Sequence, residues 1–184
     1  MKTLMLISNG FEEIEAITTI DILRRCGIEV DVASITGKKE ITGAHDIKLV
    51  ADILLEDVKA SDYKALLLPG GLLNAHNLRD DGRVIDIVKE YNDEGKILAA
   101  ICAAPCILER AGVIKGKNVT AYPDCIDESK VNYKKVKVVK DGNVITGNGV
   151  GGAIDFALMI ATSLGYEKES DETRKGILYD WSVE

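Results

Sequence analysis

Apolar and polar positions along this chain change period again and again. Lys2 to Ser8 is an apolar run with strand character, Glu12 to Arg25 spaces its apolar residues as a helix does, and Ile28 to Ala33 returns to a strand pattern. Cys26-Gly27 marks the helix-to-strand turn between the last two. The middle of the chain repeats the rhythm, with Lys64 to Pro69 as a core strand, Asp81 to Asp93 as an amphipathic helix, Ile97 to Ile101 as the next strand and Pro105 to Ala111 as its helix. Strands that are apolar throughout are covered on both faces, so the pattern predicts an α/β fold around a mostly parallel sheet.

Ile35 to Leu55 breaks the rhythm. Its turn signals, Thr36-Gly37 and Thr42-Gly43, separate short alternating runs and predict a β-excursion at the sheet edge. Further strands are expected at Asn118 to Ala121, Val136 to Val139 and Val144 to Thr146, the last two joined at Asp141-Gly142, a hairpin signal. The final long helix is expected over Gly152 to Leu164, and Leu72 to Asn77 reads as a loop. No repeat, low-complexity tract or linker divides the chain, which predicts one domain over residues 1–184.

Composition narrows the class. With 46% hydrophobic and 29% charged residues and a mean hydropathy of +0.04, the chain reads as an ordinary globular protein. No apolar run approaches a membrane span, and the N-terminal segment reads as a first strand rather than a signal peptide, so no membrane association and a cytoplasmic location are expected. A net charge of -7 and a pI near 5.0 oppose a nucleic-acid-binding face. The basic cluster Lys134-Lys135, Lys137 and Lys140 reads as the solvated side of a strand. Cys26, Cys102, Cys106 and Cys125 read as free thiols. Without a CxxC pair, and with His45 and His76 far apart, no metal site is expected.

In an open parallel sheet, ligands bind beyond the carboxyl ends of the strands. Four loops expected there carry chemistry: Asn9 to Glu15, Pro69 to Gly71, Ile101 to Pro105 and Thr146 to Gly152. Cys102 stands where a strand turns directly into a helix. A helix N-terminus there would lower its pKa and make it reactive, whereas burial would leave it an inert small residue, and this segment alone leaves both open. Of the acidic residues opening the first helix, Glu12 and Glu13 are expected to point to solvent, and Glu15 to lean toward the sheet end. Poorly solvated there, its raised pKa would let it share a proton with a thiolate. Pro69-Gly70-Gly71 offers unhindered backbone N–H groups or simply a tight turn. Gly147 to Gly152 satisfies GxGxxG, but too little polar chain follows to complete a dinucleotide-binding unit, and close helix packing explains it better. Cys106 reads as a core thiol, Cys125 as a candidate to resolve an oxidised Cys102, and Tyr122 as a hydrogen-bonding phenol at the rim.

Gly10-Phe-Glu-Glu-Ile-Glu15, Leu68-Pro-Gly-Gly71, Ala99-Ala-Ile-Cys-Ala-Ala-Pro105 and Gly149-Val-Gly151 followed by Asp155-Phe-Ala-Leu158 together resemble the DJ-1/ThiJ/PfpI superfamily. The similarity extends to about Glu167 and is closest to the DJ-1-like branch, that of the parkinsonism-associated protein. It implies a flavodoxin-like three-layer sandwich, a homodimer, no cofactor, and an elbow cysteine hydrogen-bonded to a protonated glutamate. By motif these are Cys102 and Glu15, with the backbone N–H groups of Gly71 and Ala103 as oxyanion donors and Gly70, Tyr122 and Cys125 as further pocket residues. The implied activities are cofactor-independent conversion of α-oxoaldehydes such as methylglyoxal to hydroxy acids, and deglycation of early glycation adducts. Oxidative-stress sensing through the cysteine and chaperone-like protection are the alternatives. Two departures stand out. Tyr122 replaces a histidine found in many relatives, so proton shuttling falls to Glu15 or water. Ala103 stands where the protease-like branch has a histidine, which argues against a Cys-His peptidase.

Overall fold

The computed structural model describes Lys2 to Ser182; Met1, Val183 and Glu184, inside the expected span 1–184, lie outside the described residues. In chain order the strands are β1 (Lys2–Ile7), β2 (Glu29–Ser34), β3 (Glu40–Thr42), β4 (Lys48–Val50), β5 (Ile53–Leu54), β6 (Ala65–Leu68), β7 (Ile97–Ile101), β8 (Asn118–Val119), β9 (Asn132–Tyr133), β10 (Val138–Asp141) and β11 (Val144–Gly147). The helices are α1 (Glu13–Arg25), α2 (Leu72–Asp80), α3 (Gly82–Asp93), α4 (Pro105–Arg110), α5 (Ala153–Ser163) and α6 (Glu167–Gly176).

Seven strands form the main sheet in the order β10-β11-β7-β6-β1-β2-β5, all parallel except β10. The central five, β2-β1-β6-β7-β11, follow the flavodoxin-like order 2-1-3-4-5. Alternate side chains feed two cores. Leu4 and Leu6, Leu66 and Leu68, and Leu98 and Ala100 face one side with Ala75, Val84, Val88, Tyr91 and Ile107. Met5 and Ile7, Leu67, and Ala99 and Ile101 face the other with Ala16, Ile20, Leu23, Phe156 and Ile160. The layers are therefore α2, α3 and α4, then the sheet, then α1 and α5, with α6 packed on α5 and α1. Each fully buried large side chain contributes about 1.5–3 kcal/mol, which is why near-continuous apolar strands hold the centre.

The expected β-excursion is the β3–β4 hairpin followed by edge strand β5. It leaves Ile14 and Ile17 of α1 at 54% and 43% exposure, so it does not cover these two apolar side chains. The β10–β11 hairpin forms with register Asp141↔Val144, so its central residues are Gly142 and Asn143. Only Gly142 has a positive φ (64°), the pattern of a type II′ turn one residue beyond the Asp-Gly signal. The strand expected over Asn118 to Ala121 shortens to two residues paired with β9 outside the main sheet. Beyond it, side chains replace the ladder, the Thr120 N–H donating to Thr146 Oγ1 at 2.9 Å.

Two helices depart from the sequence expectation. Polar α6 follows the helix read as the last long one. Leu72 to Asn77, read as a loop, belongs to α2, which begins directly after the Gly71 N-cap. The pattern misleads because it is inverted: Leu72 and Leu73 are exposed, while Asn74 is fully buried. Asn74 Oδ1 accepts the Ser8 N–H at 2.7 Å, and its Nδ2 donates to the carbonyls of Pro69 (2.8 Å) and Gly70 (3.1 Å). One amide thus ties the ends of β1 and β6 together where the strand order reverses. Asn74→Ala strands the Ser8 N–H and the Pro69 carbonyl, the Gly70 carbonyl keeping the Glu12 N–H, and the expected loss of about 3 kcal/mol is read by urea denaturation; a loss under about 1 kcal/mol would refute this role.

Candidate active site

The four loops meet beyond the carboxyl ends of β1, β6, β7 and β11, as expected of this topology. Cys102 follows β7 with φ at 63°, a left-handed conformation that costs a non-glycine residue about 1–3 kcal/mol. The surroundings enforce it. Its N–H donates to the Gly147 carbonyl of β11 at 2.9 Å, and its carbonyl accepts the Tyr122 N–H at 2.8 Å. The Ala104 N–H closes the turn on the Ile101 carbonyl at 3.0 Å, and Pro105 starts α4. A Cβ on Gly70 would lie 2.7 Å from the Cys102 Cβ, so only glycine permits this approach.

Glu15, in the first turn of α1, is fully buried. Its Oε2 accepts the Gly70 N–H at 2.8 Å. Oε1 has no partner of hydrogen-bond geometry; it and the Cys102 Sγ both lie beside Gly149, 3.9 and 3.8 Å from where a Cβ there would stand, and the carboxyl interacts with the thiol. Burial raises the Glu15 pKa to about 7, against the favourable contacts from Cys102 and the Gly70 N–H and with a small further push from Glu12. The Cys102 thiol is also pushed well above its usual value, first by burial and then by the facing carboxylate, while the Ala103 N–H pulls the other way. Of the two readings left open for Cys102, burial outweighs the helix N-terminus: α4 begins three positions further on and has only 6 residues. The two groups are coupled, and ionising one opposes ionising the other.

The pair opens into a cavity of about 380 Å³ with Glu12, Tyr122, Asn148 and Val150 at its rim and Gly149 between them. Tyr122 is 57% exposed, as a rim residue should be. Asn148 and Val150 escaped the sequence reading, which saw only glycines in that loop; the Asn148 Oδ1 is buried without a partner. The glycine run joins β11 through a single turn to α5, and no strand follows among the described residues, which leaves no dinucleotide unit there. Of the two readings of Pro69-Gly70-Gly71 the tight turn is present, with Gly71 at φ 84°, while the Gly70 N–H is committed to Glu15 and is not open to a ligand. The Gly71 and Ala103 N–H groups donate to no backbone or side-chain oxygen among the described residues.

Cys125 does not line the cavity; it packs half-buried against the core that also holds Cys106. Cys106 is buried, its pKa raised to about 11 chiefly by that burial. Glu12 and Glu13 do not simply point to solvent. Glu12 is the N-cap of α1 and reaches the cavity, while Glu13 is buried at 5% exposure against His45. Glu12, Glu13 and His45 bring potential ligand atoms within 4.8 Å, yet both Glu13 oxygens are taken up by His45.

A stability effect follows from Glu15. Its folded-state pKa of about 7 lies above the ordinary 4.5, so the stability it contributes is complete below about pH 4.5 and is lost as pH rises through about 7. The loss approaches about 3 kcal/mol. Glu15→Gln keeps the acceptor for Gly70 and removes the charge, so its stability relative to wild type should rise by that order between pH 5 and pH 8 in urea titrations. A pH-independent difference would show that the carboxyl is not desolvated.

Comparison with known proteins agrees with this geometry. Residues 1–163 match the DJ-1/PfpI family. The chain is 38% identical to Protein dj-1beta of Drosophila melanogaster over 180 residues, covering 96% of each, and superposes on the crystal structure of that protein with a TM-score of 0.90 over 96% of this chain and 97% of the other. It is 37% identical to the Parkinson disease protein 7 homolog of Danio rerio over 168 residues, 89% of each. The oxidized form of Toxoplasma gondii DJ-1 superposes with a TM-score of 0.91 at 30% identity, covering 98% and 99% of the two chains. No helix among the described residues is long and apolar enough to cross a membrane. Fold, spacing of the four loops and relatives converge, and the chain belongs to the DJ-1/PfpI family.

Proposed function

We propose that the protein is a cofactor-independent cysteine enzyme acting on small reactive carbonyls, with methylglyoxal-type oxoaldehydes or glycated adducts as substrates. The observation that supports this reading best is the facing of Cys102 by a buried carboxyl whose pKa lies at about 7. A group that titrates at the working pH both takes and returns protons efficiently. The site pair with one proton and one negative charge is the active form, however that charge is divided.

Cys102 sulfur adds to the aldehyde carbon, and the Gly71 and Ala103 N–H groups receive the oxyanion of the hemithioacetal. Glu15 removes the proton from that carbon and returns one to the neighbouring carbonyl carbon, which converts the adduct to a thioester of the hydroxy acid. Water then releases the acid and restores the thiol, so the balance is oxoaldehyde plus water to hydroxy acid. With Tyr122 in place of a histidine, each transfer falls to Glu15, the buried carboxyl that interacts with Cys102, with water as its relay.

Methylglyoxal turnover to lactate tests the reading. Cys102→Ala should abolish it and Glu15→Gln should lower kcat at least about a hundredfold. kcat/KM should rise through about pH 7 as the pair loses its first proton, and fall again when the second leaves. Negligible wild-type turnover, with peroxide instead oxidising Cys102 ahead of the other cysteines, would replace the enzyme with a redox sensor. That second reading draws on Cys102 being the thiol that opens onto the cavity, whereas Cys26 and Cys106 are buried.

The same reading includes a homodimer, for which the exposed apolar group Ile14, Ile17, Ile47 and Val50 offers a surface. Sedimentation should give a species of twice the 19.9 kDa chain, and Ile17→Asp should reduce it to a single chain; a monomeric wild type would overturn the assignment.

A further inference from the structure

We propose that Glu13 and His45 are positioning residues for the Cys102–Glu15 pair, fastening the tip of the β3–β4 hairpin across the β1–α1 loop so that the first turn of α1 cannot rotate. The proposal rests on the catalytic reading of that pair. Glu13 lies between Glu12 at the cavity rim and Glu15 at its floor, yet lines no part of the cavity. Its side chain is 6% exposed and both carboxylate oxygens are engaged. Oε1 accepts the His45 backbone N–H at 2.7 Å, and Oε2 pairs with His45 Nδ1 at 2.8 Å. Glu12 already caps the helix, so this buried carboxylate is not needed to start α1.

The neighbouring bonds extend the seam. The Gly10 N–H donates to the Thr42 carbonyl and the Ala44 N–H to the Phe11 carbonyl, each at 2.8 Å, and the Thr42 N–H donates to Asn9 Oδ1 at 2.9 Å. A side chain at Gly43 would collide with the Glu13 carboxylate. The seam runs along the residues that lead into Glu15, and the Glu12 N–H donates to the Gly70 carbonyl at 3.1 Å. Rotation of this turn would draw the Glu15 carboxyl away from the Gly70 N–H and from Cys102.

His45 contributes through this grip and not through packing, since its side chain is 69% exposed. The groups facing it are Glu12 and Glu13 on α1 and Asp46 beside it, and Nδ1 lies 3.8 Å from Glu12 Oε2. The Glu13 contact holds His45 above its usual pKa. For Glu13, burial acts upward, but the hydrogen bonds of His45 together with those of the Glu13 and Ile47 backbone bring the carboxyl below its ordinary value. When protonated, His45 also stands 3.8 Å from Glu12 Oε2 and offsets part of the charge by which Glu12 opposes ionisation of Glu15.

The test uses the full chain with His45→Ala, His45→Asn and Glu13→Gln, reading methylglyoxal turnover and, without substrate, the pH dependence of Cys102 alkylation. His45→Ala should retain the wild-type circular dichroism and Tm, lower kcat/KM about tenfold, chiefly in kcat, and move the alkylation midpoint by at least about 0.3 pH units. Asparagine, whose Nδ2 replaces the Nδ1 donor, should restore most of the rate. Unchanged alkylation and turnover in both His45→Ala and Glu13→Gln would overturn the proposal. Should the wild type fail to turn methylglyoxal over, the enzyme reading falls, while the alkylation midpoints still decide whether the clamp positions the pair.

Discussion

The site depends on keeping one carboxyl out of water with no cation beside it. Glu15 is held at the carboxyl ends of the central strands by a single backbone donor, the Gly70 N–H, and by its position opposite Cys102. Burial without compensation moves a carboxyl toward its neutral form. A cation in contact would keep it ionised and useless as an acid; free access to water would do the same. The missing side chain at Gly70, the turn at Gly71 and the tie through Asn74 all serve to bring the end of β6 close enough to exclude solvent while supplying one hydrogen bond.

The left-handed turn at Cys102 depends on the same assembly. An isolated strand-turn-helix segment would relax that φ angle, but here the N–H and carbonyl of Cys102 are claimed by separate segments, β11 and the loop containing Tyr122. The strain is distributed over a sheet that is buried on both sides. Because β6 and β7 are central strands, the thiol and the carboxyl are placed by the stiffest part of the molecule, and loops contribute mainly backbone donors and the rim.

Much of this was legible in the sequence. Period-two and period-3.6 patterns located the central strands and the helices α1, α3, α4 and α5 to within a residue or two, because each of those elements shows an apolar face to one of the two cores. Cys102, Glu15 and the glycines could be placed because strand ends in a parallel sheet converge by topology. What failed did so for identifiable reasons. In α2 the leucines face outward and the asparagine inward, because Asn74 satisfies backbone groups at the strand ends and packing alone does not decide its face. The partnership of Glu13 with His45 spans 32 positions and depends on how a hairpin folds back, which no local spacing encodes. The direction of the thiol's pKa shift also could not be read, since it turns on burial and on a charge contributed from another loop.

The rim has a different origin from the floor. Tyr122, Asn148 and Val150 come from the loop before β9 and the loop after β11, whereas the reactive pair is fixed by β7 and α1. Tyr122 and Val150 direct much of their surface to solvent and bear no sheet contacts that the core requires. The side chains at these two positions can therefore be exchanged without moving the buried pair, so the width and polarity of the opening are set independently of what lies beneath it.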